Sequence, residues 1–136
     1  MPRGSSSGLR RLLRREADRL RRQPLLFREF VERLRRQRPR STILLFGSRA
    51  RGEARAASDY DVAIILPNPD PLEEVIRARR ARPRGLRVDV VVLGVRQLED
   101  PVYAQMLDGA VVLHDGLNLF RGARRVPLRR GSSEDR

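Results

Sequence analysis

Three short apolar runs divide the middle of this chain: Thr42–Phe46 (TILLF), Asp61–Leu66 (DVAIIL) and Leu86–Leu93 (LRVDVVVL), each followed by a Gly or a Pro. They are too short for core helices and do not alternate polar with apolar residues. They therefore predict strands of a sheet that helices cover on at least one face. Between and around them the period changes. Leu9, Leu12, Leu13, Ala17 and Leu20 recur at three- and four-residue spacing, which predicts an amphipathic helix to about Arg22. Pro24 suits the first position of a second helix, with the stripe Leu26, Phe27, Phe30, Val31 and Leu34 and an end at Pro39. Ser48 is a candidate N-cap for a short helix to about Ala54. Pro71 opens a helix to about Arg80, Pro101–Leu107 reads as a short helix and Ala110–Leu113 as a last strand. The expected order is α-α-β-α-β-α-β-α-β without internal repeats, and 136 residues leave room for one domain with one modest core.

Charge is distributed unevenly over that plan. Residues 1–40 hold 14 Arg against 4 acids, residues 41–120 hold 10 against 11, and residues 121–136 hold 6 against 2. This divides the chain into a basic tail and helix (1–23), a nearly neutral domain (24–120) and a basic tail (121–136) expected to fray from about Arg121. Every basic residue is Arg and none is Lys, the mark of a composition bias, so Arg richness alone does not argue for nucleic acid. Aromatic residues make up only 4%, too few for a base-stacking platform. The chain has no Cys, which excludes disulfides and thiolate metal sites and suits a reducing, cytoplasmic setting. No apolar run approaches the length of a membrane span, and the basic N-terminus lacks the apolar core of a secretory signal.

Chemistry concentrates between the first two runs, in Leu45–Asp61, LFGSRARGEARAASDYD. Gly47 lets backbone approach a ligand closely. Ser48 and the amides after it lie at a predicted helix start, where N–H groups favour phosphate. Asp59 and Asp61 are two residues apart at a strand start, so their carboxylates point the same way and can share a cation. Two such neighbours repel one another unless a positive charge lies between them. Mg²⁺ with a nucleoside triphosphate meets that need, since Mg²⁺ takes a few carboxylates together with phosphate oxygens. Asp89 interrupts the third apolar run, where an unpaired charge is costly to bury. If that strand neighbours the second, Asp89 completes a three-carboxylate set able to hold two metals. His114, Tyr60 and Tyr103 read as structural, with Tyr60 facing away from the aspartates into packing.

Gly47-Ser48, ten residues, then Asp59-Tyr60-Asp61 resembles the signature of the DNA polymerase beta-like nucleotidyltransferase superfamily. Phe46-Gly47-Ser48-Arg49-Ala50-Arg51-Gly52 followed by Ser58-Asp59-Tyr60-Asp61 is similar, more narrowly, to the minimal nucleotidyltransferases, over about residues 28–115. The resemblance implies an α+β fold, a short mixed β-sheet flanked by helices, with the Arg-rich N-terminal helix as an extension. It implies Asp59, Asp61 and Asp89 as metal ligands for two Mg²⁺ ions, with Asp89 also helping to deprotonate the attacking hydroxyl. Gly47 and Ser48 would bind the phosphates of ATP, and Arg49 and Arg51 would neutralise phosphate charge. The implied activity is transfer of AMP to a hydroxyl, as a protein adenylyltransferase acting as antitoxin to a HEPN-domain toxin, in an oligomer or hetero-complex.

Two other readings compete. A contact-only antitoxin would keep the fold without the chemistry. A nucleic-acid-binding protein would use the basic ends for phosphate contact, but the chain has no second domain to hold a template. Transferases that adenylylate aminoglycosides share the signature but usually carry an extra helical domain, which this chain lacks.

Overall fold

The computed structural model describes residues 3–55 and 57–128, with side chains from residue 7 onward. Four strands form one sheet in the order β3-β2-β1-β4: β1 (Thr42–Phe46), β2 (Tyr60–Leu66), β3 (Val88–Gly94) and β4 (Val111–Asp115). β1 runs antiparallel to β2 and β4, whereas β2 and β3 are parallel and joined through α3 (Pro71–Ala81), so the sheet is mixed. α3 starts with Pro71 after Asp70, whose carboxylate caps the Glu73 amide, and ends with Arg79 and Arg80 in its last turn.

Helices cover both faces, which is why the strands read as continuous apolar runs. On one face α1 (Arg3–Gln37) and α3 pack Phe27, Phe30, Leu34, Ala78 and Ala81 against Ile43, Val62, Ile64 and Val92. On the other, a 3₁₀ turn (Val95–Glu99), α4 (Pro101–Met106), the link from α4 to β4 and the chain beyond β4 pack Leu98, Tyr103, Leu107, Ala110 and Phe120 against Leu44, Ala63, Ile65 and Leu93. Alternate residues of β2 thus serve opposite layers, as the two-residue period of a strand requires. Among the described residues no helix is long and apolar enough to cross a membrane.

The expected break at Pro24 is absent: α1 is one helix of 35 residues with Pro24 inside it. An internal proline costs a helix about 3 kcal/mol, and tertiary contacts hold the helix together across it. Gln23 is buried; its amide nitrogen donates to Gly85 O at 2.9 Å and its oxygen accepts from the Arg87 amide at 3.0 Å. The expected fraying from Arg121 is also corrected over the described part. Arg124 O and Ala110 O accept from the amides of Val112 and Val126 at 2.8 Å each, so this segment pairs alongside the start of β4. Residues 129–136 lie outside the described residues.

Asp115 at the end of β4 closes the turn that follows. Burial would raise its pKa, but hydrogen bonds from the amides of Phe120 and Leu119 and from the Thr42 hydroxyl outweigh it and hold the carboxyl below its ordinary range. A depressed carboxylate stabilises the fold above the unfolded pKa and loses that contribution as pH falls through the folded one. Asp115→Ala is therefore expected to cost about 1 kcal/mol at pH 7, a gap to the parent that shrinks as pH drops below 4. Urea melts of both chains across that range measure it; a gap independent of pH would contradict the assignment.

Candidate active site

The site lies where β1 ends and β2 and β3 begin. Asp61 pairs in register with Phe46 on one side and Asp89 on the other. Residues directly opposite in a ladder point to the same face, so the carboxylates of Asp61 and Asp89 are neighbours, on the face away from α1. Asp59 precedes β2 by one residue and comes level with Arg87, whose guanidinium lies 3.7 Å from its carboxylate. Arg87 was not singled out from sequence. Its signal was there, two residues before Asp89 and hence on the same side of the strand, but it became meaningful only with the strand register.

The charges act on one another as their positions imply. Burial raises the pKa of Asp61, repulsion from Asp89 and Asp59 raises it further, and Arg51 pulls it back. A cation between these carboxylates removes that repulsion, so the donor set fits a divalent ion of the hard, oxygen-seeking kind. Among the described residues no three acidic or histidine side chains are already gathered tightly enough to chelate one. Like charges keep apart without a counter-charge, and Asp59 turns to Arg87.

Gly47 makes the bend from β1 into α2 (Ser48–Arg51) with φ 79°. Its missing side chain is a steric requirement: a Cβ there would run into the Asp61 carboxylate, within 3.1 Å of its Cγ. Bend and carboxylate are therefore packed directly together. α2 is shorter than expected. Gly47, not Ser48, is the N-cap, and Gly52 in the left-handed conformation stops the helix after one turn. One turn has little macrodipole, so phosphate binding here would depend on the bend and nearby Arg side chains.

The structure separates the two arginines of α2. Arg51 is exposed, bonded to Glu53 at 2.8 Å and close enough to act on Asp61. Arg49 is turned to the loop ahead of Asp59, donating to Ser58 O from Nε at 3.0 Å and from a terminal nitrogen at 2.7 Å. Its guanidinium also lies 4.0 Å over the Tyr60 ring, which stacks on Phe27 of α1 at 4.1 Å. Two groups so close to one ring centroid cannot share a face, so Tyr60 is sandwiched and faces packing, as expected. Arg49 thus holds the Asp59 loop in place. Arg49→Ala is expected to cost that loop about 1–2 kcal/mol, making tryptic cleavage after Arg55 roughly tenfold faster. Arg49→Lys, without the planar fork, restores little of it.

A second tie comes from the C-terminal segment. Arg125 donates to Ala50 O of α2 at 2.8 Å and to Gly109 O at 3.0 Å. Asp89, exposed on the edge strand, borders a cavity of about 330 Å³ with Phe30, Arg79 and Arg82. His114 contacts Pro39 O at 2.9 Å, a structural position.

With this geometry in place, comparison with known proteins is informative. The family model described as nucleotidyltransferase domain matches residues 27–109. Among solved structures, a Sulfolobus solfataricus protein assigned provisionally as a nucleotidyltransferase aligns with a TM-score of 0.52. The two are 23% identical, over 71% of this chain and 83% of that one, a likeness that speaks to the fold. No curated protein matches the chain. The mixed sheet flanked by helices is the polymerase beta-like nucleotidyltransferase fold.

Proposed function

This chain belongs to the nucleotidyltransferase domain family, and from that premise we propose that it transfers AMP from ATP to a hydroxyl of another protein. Asp59, Asp61 and Asp89 would hold two Mg²⁺ ions, which when bound supply charge neutralisation for the polyphosphate and the departing pyrophosphate. Gly47 and Ser48 admit the phosphates beside Asp61. Arg51 adds positive charge near them. Asp89, exposed on the edge strand, accepts the proton of the attacking hydroxyl. Arg49 keeps the Asp59 loop in position. Catalysis then consists of orienting two reactants and stabilising charge, which a domain of this size can do.

The observation that supports this most is the register of the parallel pair, Asp61 opposite Asp89, with the Gly47 bend packed on Asp61. The partner we assign, on the resemblance to the minimal nucleotidyltransferases, is a HEPN-domain toxin that the transfer would silence. Incubation with α-labelled ATP, Mg²⁺ and the protein encoded by the adjacent gene should label that protein. A folded chain that labels no neighbouring protein would remove the proposal.

A contact-only antitoxin is the second reading, supported by Asp59 leaning to Arg87 instead of to its fellow carboxylates. Asp59→Ala with Asp61→Ala separates the two: neutralisation of the toxin is lost if transfer matters and persists if contact suffices.

A further inference from the structure

The N-terminal half of α1 leaves the domain with its apolar face uncovered. No residue from 7 to 22 is buried, and Leu9, Leu12 and Leu13 are 57%, 62% and 61% exposed. These leucines are not scattered. Leu9, Leu12 and Leu13 precede Phe27, Phe30 and Val31 by eighteen residues each, which is five turns at about 3.6 residues per turn. They therefore continue the helix face that packs on the sheet, past the point where the sheet ends. Gln23 touches the backbone leading into β3, and Phe27 stacks on Tyr60 at the head of β2. The overhang, roughly 24 Å long, thus projects from the end of the sheet that carries the aspartates.

We propose that this overhang docks an acidic amphipathic helix of the protein on which the chain acts. The inference deepens the proposed function and depends on it for the partner being the acceptor, though docking itself needs no chemistry. An apolar stripe that runs from Leu9 to Leu20, about three turns, is too long to be incidental on a solvated helix, and a helix of this length in isolation is marginal in water. Its flanks hold Arg10, Arg11, Arg14, Arg15, Arg19, Arg21 and Arg22, against Glu16 and Asp18. Charge complementarity then calls for acids on both flanks of the occupant. A second copy of this chain would set Arg against Arg. Glu16 lies on the line of Leu34, eighteen residues on, and so in the middle of the stripe. That carboxylate opposes burial in lipid, and in a helix pair it favours a partner with one basic residue in its own stripe. Nucleic acid offers the leucines no apolar surface.

The test uses the full chain and a fluorescein-labelled helical peptide of about 20 residues, with a Leu stripe interrupted by one Lys and flanked by Glu. Anisotropy should report binding that weakens about tenfold or more with Leu12→Glu plus Leu13→Glu, with Arg11→Gln plus Arg15→Gln, and with a Lys-flanked peptide. Circular dichroism checks that each variant keeps its helix. No binding of the Glu-flanked peptide, or binding indifferent to the leucine changes, overturns the proposal. So does tighter binding to oligouridylate or to phosphatidylserine vesicles, or a chain dimer that the leucine changes abolish. Asp59→Asn plus Asp61→Asn should bind the peptide as the parent does, so failure of transfer and failure of docking are read separately.

Discussion

Asp61→Ala is expected to lower nucleotidyl transfer by about 10³-fold while the chain stays folded. Asp61 is where the site converges. It is half-buried, it faces Asp89 across the parallel pair, and the Gly47 bend rests on its carboxylate. On the proposed reading, losing it removes a cation ligand and unpacks the bend in the same step. Stability should move the other way. Burial and the charges of Asp89 and Asp59 raise its pKa, so the folded chain favours the neutral form. A group shifted in that direction contributes stability below its unfolded pKa and loses it as pH rises. At neutral pH a neutral isostere therefore relieves a cost, and Asp61→Asn should melt no earlier than the parent. Rates of label transfer and thermal melts decide together. Retained transfer, or transfer lost only because the chain unfolds, would remove Asp61 from the centre of the chemistry.

Gly47→Ala should harm both stability and turnover. The backbone holds φ 79° there, and any side chain would be driven into the Asp61 carboxylate. The conformational strain alone costs about 1–3 kcal/mol, and displacing a catalytic group by an ångström costs about 10²-fold in rate. Gly52→Ala is the control. It has φ 74° but open space around the position of a Cβ, so it carries the backbone cost without the collision. Urea midpoints should fall for both variants, whereas kcat/KM should fall steeply only for Gly47→Ala. Equal losses of activity would attribute the effect to the ends of α2 and not to the contact with Asp61.

Much of this was legible in the residues because the signals were local. Strands β1, β2 and β3 stand within two residues of their apolar runs, since burial on both faces leaves a continuous pattern. The spacing of Asp59 and Asp61 and the carboxylate in the third run pointed to the candidate site before any register was known. What escaped reading depended on distant partners. Pro24 has the chemistry of a helix start, and distant contacts hold it as helix interior, among them the grip of Gln23 on Gly85 and Arg87, more than sixty residues away. Ser48 has the chemistry of an N-cap, yet Gly47 with its positive φ takes that place because Asp61 leaves no room for a side chain. Arg49 and Arg51 look alike in sequence; the Ser58 carbonyl and the Tyr60 ring separate them.

The tie from Arg125 to Ala50 and Gly109 has a practical meaning for anyone shortening this gene. A stop codon placed just after Phe120 would spare each of the three aspartates and the whole sheet. It would still remove the strut that ties the one-turn helix after the Gly47 bend to the rest of the domain. Such a protein would also lose Val126 from the core and the pairing beside β4, so an intact motif would mislead as to its competence.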